Sequence, residues 1–424
     1  MITKKNTYHN YLLFASVLLI LIPPALISGP FLPDLFIVLI SFIFLFIFNK
    51  NNQIFSLKSN YLRLFLSFYI FLVLTSVLSD HFSESIKTSL TYVRFGFFSL
   101  AVVFILNNKK NFIKHFYFMM CITLIILIFD GYFQFITGKN IFGFREHLRP
   151  DRLSGLFLDE LILGSYLGKI LPIFCTFYLL NKGYFNKYYI SILIIMIYIL
   201  IFLSGERSAF FTTTLYLIMV APFLIGIKRA VILFALIGIM FGVLISTNKN
   251  IKSRYVDQMI MHTFGHSTSP SVFMPDHIGL FTSAIDIFKK NIFLGGGVKT
   301  FRINCKNTVN EKLTKLKSAY PNIVFCNTHP HNYYLQLLAE TGLIGFLFVL
   351  AIFIKLVFDY LKQVYYLIKK NKSINIEYVT ILSGLIIFLW PLTTTGNFFN
   401  NWICSILFLH IGIYLYTLQN EPKN

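Results

Sequence analysis

The sequence THPHNYYLQLLAETGLIG, from Thr328 to Gly345, joins a long polar segment to a long apolar one. Proline disfavours the helical region for the residue before it, so Pro330 keeps His329 out of a helix. Asn332 is of a residue type that caps helix N-termini, and the apolar run starts directly after it. We therefore predict that a helix begins after Asn332 and that His331 lies at its N-terminal end. Free backbone N–H groups at such an end favour anions, which makes His331 a candidate for chemistry.

The composition is typical of a protein that crosses a membrane many times. Of the 424 residues, 56% are hydrophobic and only 13% are charged, with 49 Phe and 24 Tyr. Soluble domains are about half apolar and about a quarter charged. A formal net charge of +20 would indicate a nucleic-acid partner for a soluble protein. In a membrane protein, cytoplasmic lysines and arginines explain the same excess, so we expect no nucleic-acid partner.

Twelve apolar runs are long enough to cross about 30 Å of hydrocarbon as helices. They lie near residues 10–29, 31–48, 61–79, 91–106, 112–130, 158–180, 188–203, 208–226, 230–246, 334–358, 376–391 and 401–418. We therefore predict an all-α polytopic membrane protein with about twelve transmembrane helices embedded in a lipid bilayer.

Basic residues predict the orientation of the chain. Lys4 and Lys5 precede the first run, and further basic residues follow alternate runs, always on the same side if all twelve runs span. The positive-inside rule makes that side cytoplasmic. The chain then divides into residues 1–246 with nine helices, an outer loop at 247–333 with short helices, and residues 334–424 with three helices. We predict a bacterial inner-membrane protein whose site faces the periplasm.

Lysines and arginines are also frequent in the predicted outer segments, although the positive-inside rule places most of them on the cytoplasmic side. Arg207, in the motif SGERSAFF, lies where the seventh run ends and the eighth begins. Its planar guanidinium can bind two phosphate oxygens at once. The alternative is an arginine that reaches lipid headgroups and has Glu206 as its local partner. Together with Arg152 and Arg302, Arg207 is a candidate for binding lipid phosphate or pyrophosphate.

The stretch NIFLGGGVKTFR places three glycines before Lys299 and Arg302. Glycines let backbone N–H groups approach an anion closely, although such a stretch more often forms only a turn. His277 lies upstream, next to a short helix predicted at 279–290. An isolated histidine of this kind is usually a packing or surface residue.

Cys305 and Cys326 lie on the predicted oxidising side and can pair. The disulfide would close a loop of about 22 residues and contribute about 3 kcal/mol on the chain-entropy model. No cysteine–histidine spacing typical of a metal site accompanies them, so we predict neither a metal nor a cofactor. Ionisable residues within the predicted spans are scarce and include Lys169 and Glu340, which argues against a proton-coupled carrier.

Five motifs follow one another in an order that resembles the O-antigen ligase and polymerase family of bacterial inner-membrane glycosyltransferases. The motifs are RLSGLF (152–157), SGERSAFF (204–211), the glycine turn with FR (295–302), HPHNYYLQLLAETGLIG (329–345) and TTTGNFFNNW (393–402). The resemblance covers nearly the whole chain. It implies a fold like that of C-type glycosyltransferases, with the large periplasmic loop between helices 9 and 10.

The resemblance also implies substrates and roles. The family's donor is a glycan on undecaprenyl pyrophosphate, which ligases transfer to the lipid A–core and polymerases to another repeat unit. By this resemblance Arg207 contacts the donor pyrophosphate, and His331 is catalytic, either accepting the proton of the acceptor hydroxyl or hydrogen-bonding the donor. Direct displacement would invert the anomeric carbon without a metal. We favour a ligase, with a polymerase as the alternative and a lipid-linked oligosaccharide flippase as the less favoured rival.

One position departs from the family pattern. Ligases commonly have an arginine at the start of the loop helix before the glycine turn, where this chain has His277. Arg302 or Arg152 is then the second candidate ligand for the pyrophosphate. The expected supporting residues are His277, His329, Asn332 and Glu340.

Overall fold

A computed structural model describes residues 2–48, 59–109, 111–145, 151–181, 186–257, 260, 275–307, 323–370 and 373–419. The segment predicted as a loop at 247–333 is therefore covered in part, because residues 258–259, 261–274 and 308–322 lie outside the described residues. No strand occurs in the part of the chain that is described.

Helices of ten or more residues make up most of the described chain. They are α1 (Ile2–Ile20), α2 (Phe31–Phe48), α3 (Ser59–Val77), α4 (Phe82–Thr91), α5 (Val93–Asn108), α6 (Phe112–Thr137), α7 (Leu163–Leu180), α8 (Lys187–Leu203), α9 (Arg207–Ile225), α10 (Ile227–Thr247), α11 (Pro275–Lys290), α12 (Tyr333–Lys369), α13 (Ile376–Phe388) and α14 (Asn401–Gln419). The short helix predicted at 279–290 is present as α11 and begins four residues earlier.

The architecture is that of a multi-pass membrane protein. Eight described spans are long and apolar enough to cross a membrane, and a ninth results if the bent pair His9–Ile20 and Ile22–Ser28 is one span. Three further apolar helices, α2, α8 and α13, are shorter. The predicted all-helical membrane fold is confirmed, whereas the count of twelve spans and the side on which the long loop lies stay predictions.

The span predicted at 91–106 is longer than its apolar run. α4 and α5 together form one span at Phe82–Asn108. Serines in α4 lower its hydropathy, but Ser85 and Ser89 are buried against Ser76 of α3. The Ser85 hydroxyl donates to that of Ser76 at 2.7 Å, and the Ser89 hydroxyl lies 2.5 Å from the same oxygen. Internal pairing of hydroxyls lets a polar stretch enter the bundle, and hydropathy alone does not reveal it.

The centre of the bundle is formed by α5, α7, α13 and α14. α5 packs along α14, and α13 contacts α7, α9 and α14. Gly412 lies so close to α5 that an added Cβ would be 2.9 Å from the backbone oxygen of Ser99. α10 lies at the periphery and exposes large aliphatic side chains, as a lipid-facing helix does. Those side chains include Val231, Ile232, Leu236 and Ile239.

α12 is not a uniform span from residue 334 onwards, as the apolar run suggested. It is broken at Gly342, whose φ of 64° and ψ of −165° are not helical. The glycine turn after α11 fills the break, where Leu343 donates its backbone N–H to Ile292 at 2.7 Å. A Cβ on Gly342 would clash with the backbone oxygen of Phe293. Backbone contact this close requires glycine at this position.

Candidate functional site

His331 lies in a short non-helical segment directly before α12. The predicted cap is present, because Oδ1 of Asn332 accepts the backbone N–H groups of Tyr334 at 3.0 Å and Leu335 at 3.1 Å. His331 has a φ of 57°, a left-handed conformation that is uncommon for a residue with a side chain. Its carbonyl oxygen accepts the backbone N–H of Thr395 at 2.8 Å. The histidine backbone is thus held by contacts on both sides.

Three histidines form a cluster at this end of the bundle, called the histidine cluster below. The ring centroids of His329 and His331 are 4.2 Å apart, and those of His277 and His331 are 5.4 Å apart. The hydroxyl of Thr328 is 2.9 Å from Nδ1 of His329. Nε2 of His329 is buried and has no hydrogen-bond partner among the described residues. The structure therefore brings the predicted catalytic and supporting histidines together.

The rings of His329 and His331 are neutral at physiological pH. Burial, with smaller contributions from the neighbouring His331 and Arg302, lowers the pKa of His329 to about 3, although a backbone hydrogen bond with Thr395 opposes the change. Burial also lowers the pKa of His331, and a backbone hydrogen bond with Thr395 offsets this only in part. A neutral imidazole has a nitrogen lone pair, so His331 is able to accept a proton.

Arg302 lies beside the histidine cluster. It is exposed, in the short helix Phe301–Asn304, and its charge acts on His329. Of the three predicted phosphate ligands it is the one that the structure places with the histidines. An exposed guanidinium beside neutral imidazoles gives this side of the site a positive potential.

The glycine turn is a structural support rather than an anion cradle. Glu340, fully buried in α12, accepts the backbone N–H groups of Lys299 at 2.9 Å and Phe301 at 3.0 Å. Gly296 and Gly297 donate their N–H groups to carbonyl oxygens of α12 at 2.8 and 2.9 Å. These N–H groups have protein partners, so the alternative of a plain turn is correct. Glu340 thereby positions the segment that carries Arg302.

Cys305 and Cys326 are joined by a disulfide, with their Cα atoms 5.2 Å apart. Cys305 follows the short helix of Arg302, and Cys326 precedes the segment of the histidines. Cys305 also packs with Leu280 of α11 and Ala339 of α12 in a small apolar cluster. The disulfide therefore connects the segment that carries Arg302 with the segment that carries His329 and His331.

Arg207 is the first residue of α9 and lies on another edge of the site. It is half-buried, and no hydrogen bond or ion pair joins its guanidinium to another described residue. The expectation that Glu206 is its local partner is wrong. Glu206 points instead to the N-terminus of α7, where it accepts the backbone N–H groups of Gly164 at 2.7 Å and Ser165 at 3.1 Å. The positive end of the α7 dipole attracts the Glu206 carboxylate. The guanidinium of Arg207 therefore does not bind this carboxylate.

Arg152 is the ionic partner of Glu206. Its guanidinium lies 3.7 Å from the carboxylate and donates to the carbonyl of Leu161 at 2.7 Å. Its Nε is buried without a hydrogen-bond partner in the described chain. Burial raises the pKa of Glu206, and the charge of Arg152 opposes the rise. Arg152 also interacts electrostatically with Arg207. These two arginines therefore form one group, whereas Arg302 lies beside the histidine cluster.

The segment 393–395 joins the two halves of the site. The hydroxyl of Thr394 hydrogen-bonds to that of Ser208, which follows Arg207, while Thr395 binds the carbonyl of His331. Asn332 donates to the carbonyl of Thr393 at 3.2 Å. The same segment lines a cavity of about 40 Å³ between α7, α9 and α13. Residues 393–395, the connecting segment, therefore link the histidine cluster to the part of the site that contains Arg207.

Sequence reasoning missed part of this arrangement. It treated Lys169 only as a rare charge within a span, whereas the structure places it in the lining of the cavity with Ser208 and Thr394. A lysine inside an apolar run was the available signal. It also missed Gln336, whose amide donates to Glu340 at 3.0 Å and to Asn397 at 2.9 Å. The i,i+4 spacing of Gln336 and Glu340 was the available signal for the first contact, whereas no local pattern indicates the contact with Asn397.

The described residues contain no group of three or more His, Cys, Asp or Glu side chains arranged to hold a metal ion. The candidate residues that the structure groups at one end of the helical bundle are histidines, arginines and residues with hydroxyl groups. The fold is that of a multi-pass membrane protein, with cationic arginines near neutral imidazoles.

Residues 191–350 match the family model described as O-antigen ligase. The match includes Arg207, His277, Arg302, His331 and Glu340, and it confirms the resemblance to the O-antigen ligase family over these residues. That family is one of glycosyltransferase-like membrane enzymes. Its substrates are lipid-linked glycans and acceptors in a membrane. No curated protein matches the chain.

Proposed function

We propose that this protein is a metal-independent, inverting glycosyltransferase of the ligase type. It transfers a glycan from undecaprenyl pyrophosphate to the lipid A–core or another acceptor sugar at the periplasmic face of the bacterial inner membrane. The observation that carries the proposal is the cluster of His331 with His329 and His277, which has Arg302 beside it. Residues 394–395 connect this cluster to Ser208, the residue after Arg207. The family match over residues 191–350 supports the same chemistry.

In the proposed step the acceptor hydroxyl attacks the anomeric carbon of the donor sugar. The new bond forms between the acceptor oxygen and that carbon, the bond from the carbon to the pyrophosphate oxygen breaks, and the hydroxyl proton moves to His331. Undecaprenyl pyrophosphate leaves with the bonding electrons. Arg207 stabilises the negative charge that develops on the leaving group, and Arg302 or Arg152 contributes a second cation.

The supporting residues act through these groups. The half-buried His329 packs against the ring of His331, Asn332 holds the segment at the start of α12, and Glu340 holds the turn that carries Arg302. His277 packs on the other side of His331. We assign all four a positioning role.

A transfer assay with purified protein in nanodiscs and a defined undecaprenyl-pyrophosphate-linked glycan tests the proposal. His331→Ala is expected to lower the transfer rate about 10²–10⁴-fold while donor binding persists. His115→Ala, at an exposed position in α6, is the control and should leave the rate unchanged. Near-normal transfer by His331→Ala would refute the role of His331. Movement of the intact donor across the membrane without transfer and without dependence on His331 would favour the flippase.

The acceptor separates a ligase from a repeat-unit polymerase, which would use the same site chemistry. Deletion of a ligase gene leaves full-length polymer on the lipid carrier. Deletion of a polymerase gene leaves single repeat units attached to the core. We expect the first phenotype, and the second would reassign the protein to the polymerases.

A further inference from the structure

Lys169 places an ammonium group inside a membrane-spanning helix. It lies six residues after Leu163, the first residue of α7, which corresponds to about 9 Å of helix. Its Nζ lies 5.7 Å from the centre of the Phe388 ring. No hydrogen bond or ion pair joins it to another described residue. An ammonium at such a depth is costly unless an anion or a polar cavity accompanies it.

The nearest carboxylate does not serve as a dedicated partner for Lys169. Glu206 interacts with it electrostatically, but that carboxylate already accepts two backbone N–H groups and the Ser165 hydroxyl and lies 3.7 Å from Arg152. Asp151, the other carboxylate of this region, lies 3.5 Å from Arg254. Lys169 and Arg207 are thus two cations without a carboxylate of their own.

Lys169 and the residues after Arg207 line the same cavity. Ser208 and Thr212 contribute hydroxyl groups from α9, and Thr394 contributes one from the connecting segment. The cavity therefore leads from the start of α9, where Arg207 lies, down to Lys169 within the bundle. At about 40 Å³ it has room for water rather than for a phosphate group, so a phosphate requires the segment 393–395 to shift.

We propose that Lys169 binds one phosphoryl group of the lipid-linked pyrophosphate from the membrane side while Arg207 binds the other. This inference rests on the proposed function. It adds Lys169, a cation within the bundle, to the arginines at the end of the bundle. A diphosphate has two phosphoryl groups to offer the two cations, whereas a monophosphate has one. Lys169 then makes the site selective for a pyrophosphate over a monophosphate lipid. The Ser208 hydroxyl, which pairs with that of Thr394 in the structure, lies in the lining of the same cavity.

Binding of undecaprenyl pyrophosphate and of undecaprenyl phosphate to the purified full-length protein in nanodiscs tests this assignment without any turnover. Lys169→Met is expected to weaken pyrophosphate binding tenfold or more and to change monophosphate binding less than threefold. Lys169→Arg retains the charge and should lose less than threefold. Lys355→Met is the matched control, since Lys355 also lies in a membrane helix but is exposed and paired with Asp359 at 2.8 Å.

Unchanged pyrophosphate binding in Lys169→Met would overturn the inference, and so would equal weakening of both lipids, which indicates a general effect on the fold. These outcomes are distinct from failure of the proposed function. If the wild-type protein binds neither lipid and transfers no glycan, the proposed function fails. If transfer depends on His331 while Lys169→Met binds normally, only the inference about Lys169 fails.

Discussion

The backbone N–H of Thr395 donates a hydrogen bond of 2.8 Å to the carbonyl oxygen of His331. The neighbouring Thr394 hydroxyl meets that of Ser208, directly after Arg207. One short segment thus contacts both the proposed catalytic histidine and the residue after the proposed pyrophosphate ligand. Residues 394–395 therefore connect the two parts of the candidate site through direct hydrogen bonds.

Arg207→Lys is expected to lower kcat/KM about tenfold or more, although the positive charge is retained. The planar fork binds two phosphate oxygens at once, and an ammonium group cannot reproduce that geometry. Initial rates at varied donor concentration measure the effect. Arg63→Lys, at an exposed position in α3, serves as control. Equal activity of Arg207→Lys and wild type would argue against bidentate phosphate binding.

The transfer rate is expected to fall on the acid side only. Burial lowers the pKa of His331 below its ordinary value of 6.5, so the ring is neutral at neutral pH and becomes cationic as the pH drops through the lowered pKa. A cationic imidazole cannot act as a base, and kcat/KM therefore declines there and is level above. A pH–rate profile measures this, and the residual rate of His331→Ala should lack the acid limb. A rate that increases on acidification would exclude His331 as the base.

Glu340→Gln is expected to destabilise the protein by about 1–3 kcal/mol. Both carboxylate oxygens accept backbone N–H groups, from Lys299 and Phe301, and an amide must turn its NH₂ group towards one of them. Thermal unfolding in detergent gives the stability, and transfer should fall because this turn carries Arg302. The exposed Glu84→Gln is the control. Unaltered unfolding of Glu340→Gln would show that the turn does not depend on this carboxylate.

The double variant Cys305→Ser/Cys326→Ser is expected to lose about 3 kcal/mol of stability on the chain-entropy model. Reduced stability should also lower transfer, since the disulfide connects the segments of Arg302 and His331. Mass spectrometry of unreduced protein should find the two cysteine peptides linked. Cys121→Ser, a free half-buried cysteine in α6, is the comparison. Detection of two free thiols at 305 and 326 would rule out the linkage.

Much of the fold could be predicted because hydrocarbon thickness sets the length of an apolar helix. Each of the twelve apolar runs overlaps a helix in the structure. α4 was not predicted because its serines lower the hydropathy of the segment. The pairing of Ser85 and Ser89 with Ser76 joins α4 to α3, and a contact between two helices cannot be seen in the sequence. The break at Gly342 was not predicted either, because a glycine in an apolar run does not indicate which backbone segment packs against it.

The candidate site could be predicted in its parts but not in its arrangement. His331 and the cap at Asn332 follow from neighbouring residues and were visible in one short stretch. The alternative in which Glu206 is the local partner of Arg207 was wrong, because it rested on adjacency in sequence. The actual contacts reach Gly164 and Arg152, which are distant in the chain.

The sequence by itself determined the membrane class, the helix beginning after Asn332 and the types of residue available for chemistry, because these depend on hydropathy and on local backbone geometry. Only the tertiary structure decided which charges meet. Glu206 contacts α7 across 42 residues, and Ser208 contacts Thr394 across 186 residues. Contacts at such separations depend on helix packing, which no local pattern encodes. Helix packing likewise brings Thr395 to His331 and Lys169 into one cavity lining with Tyr333, beside the stretch from Thr328 to Gly345.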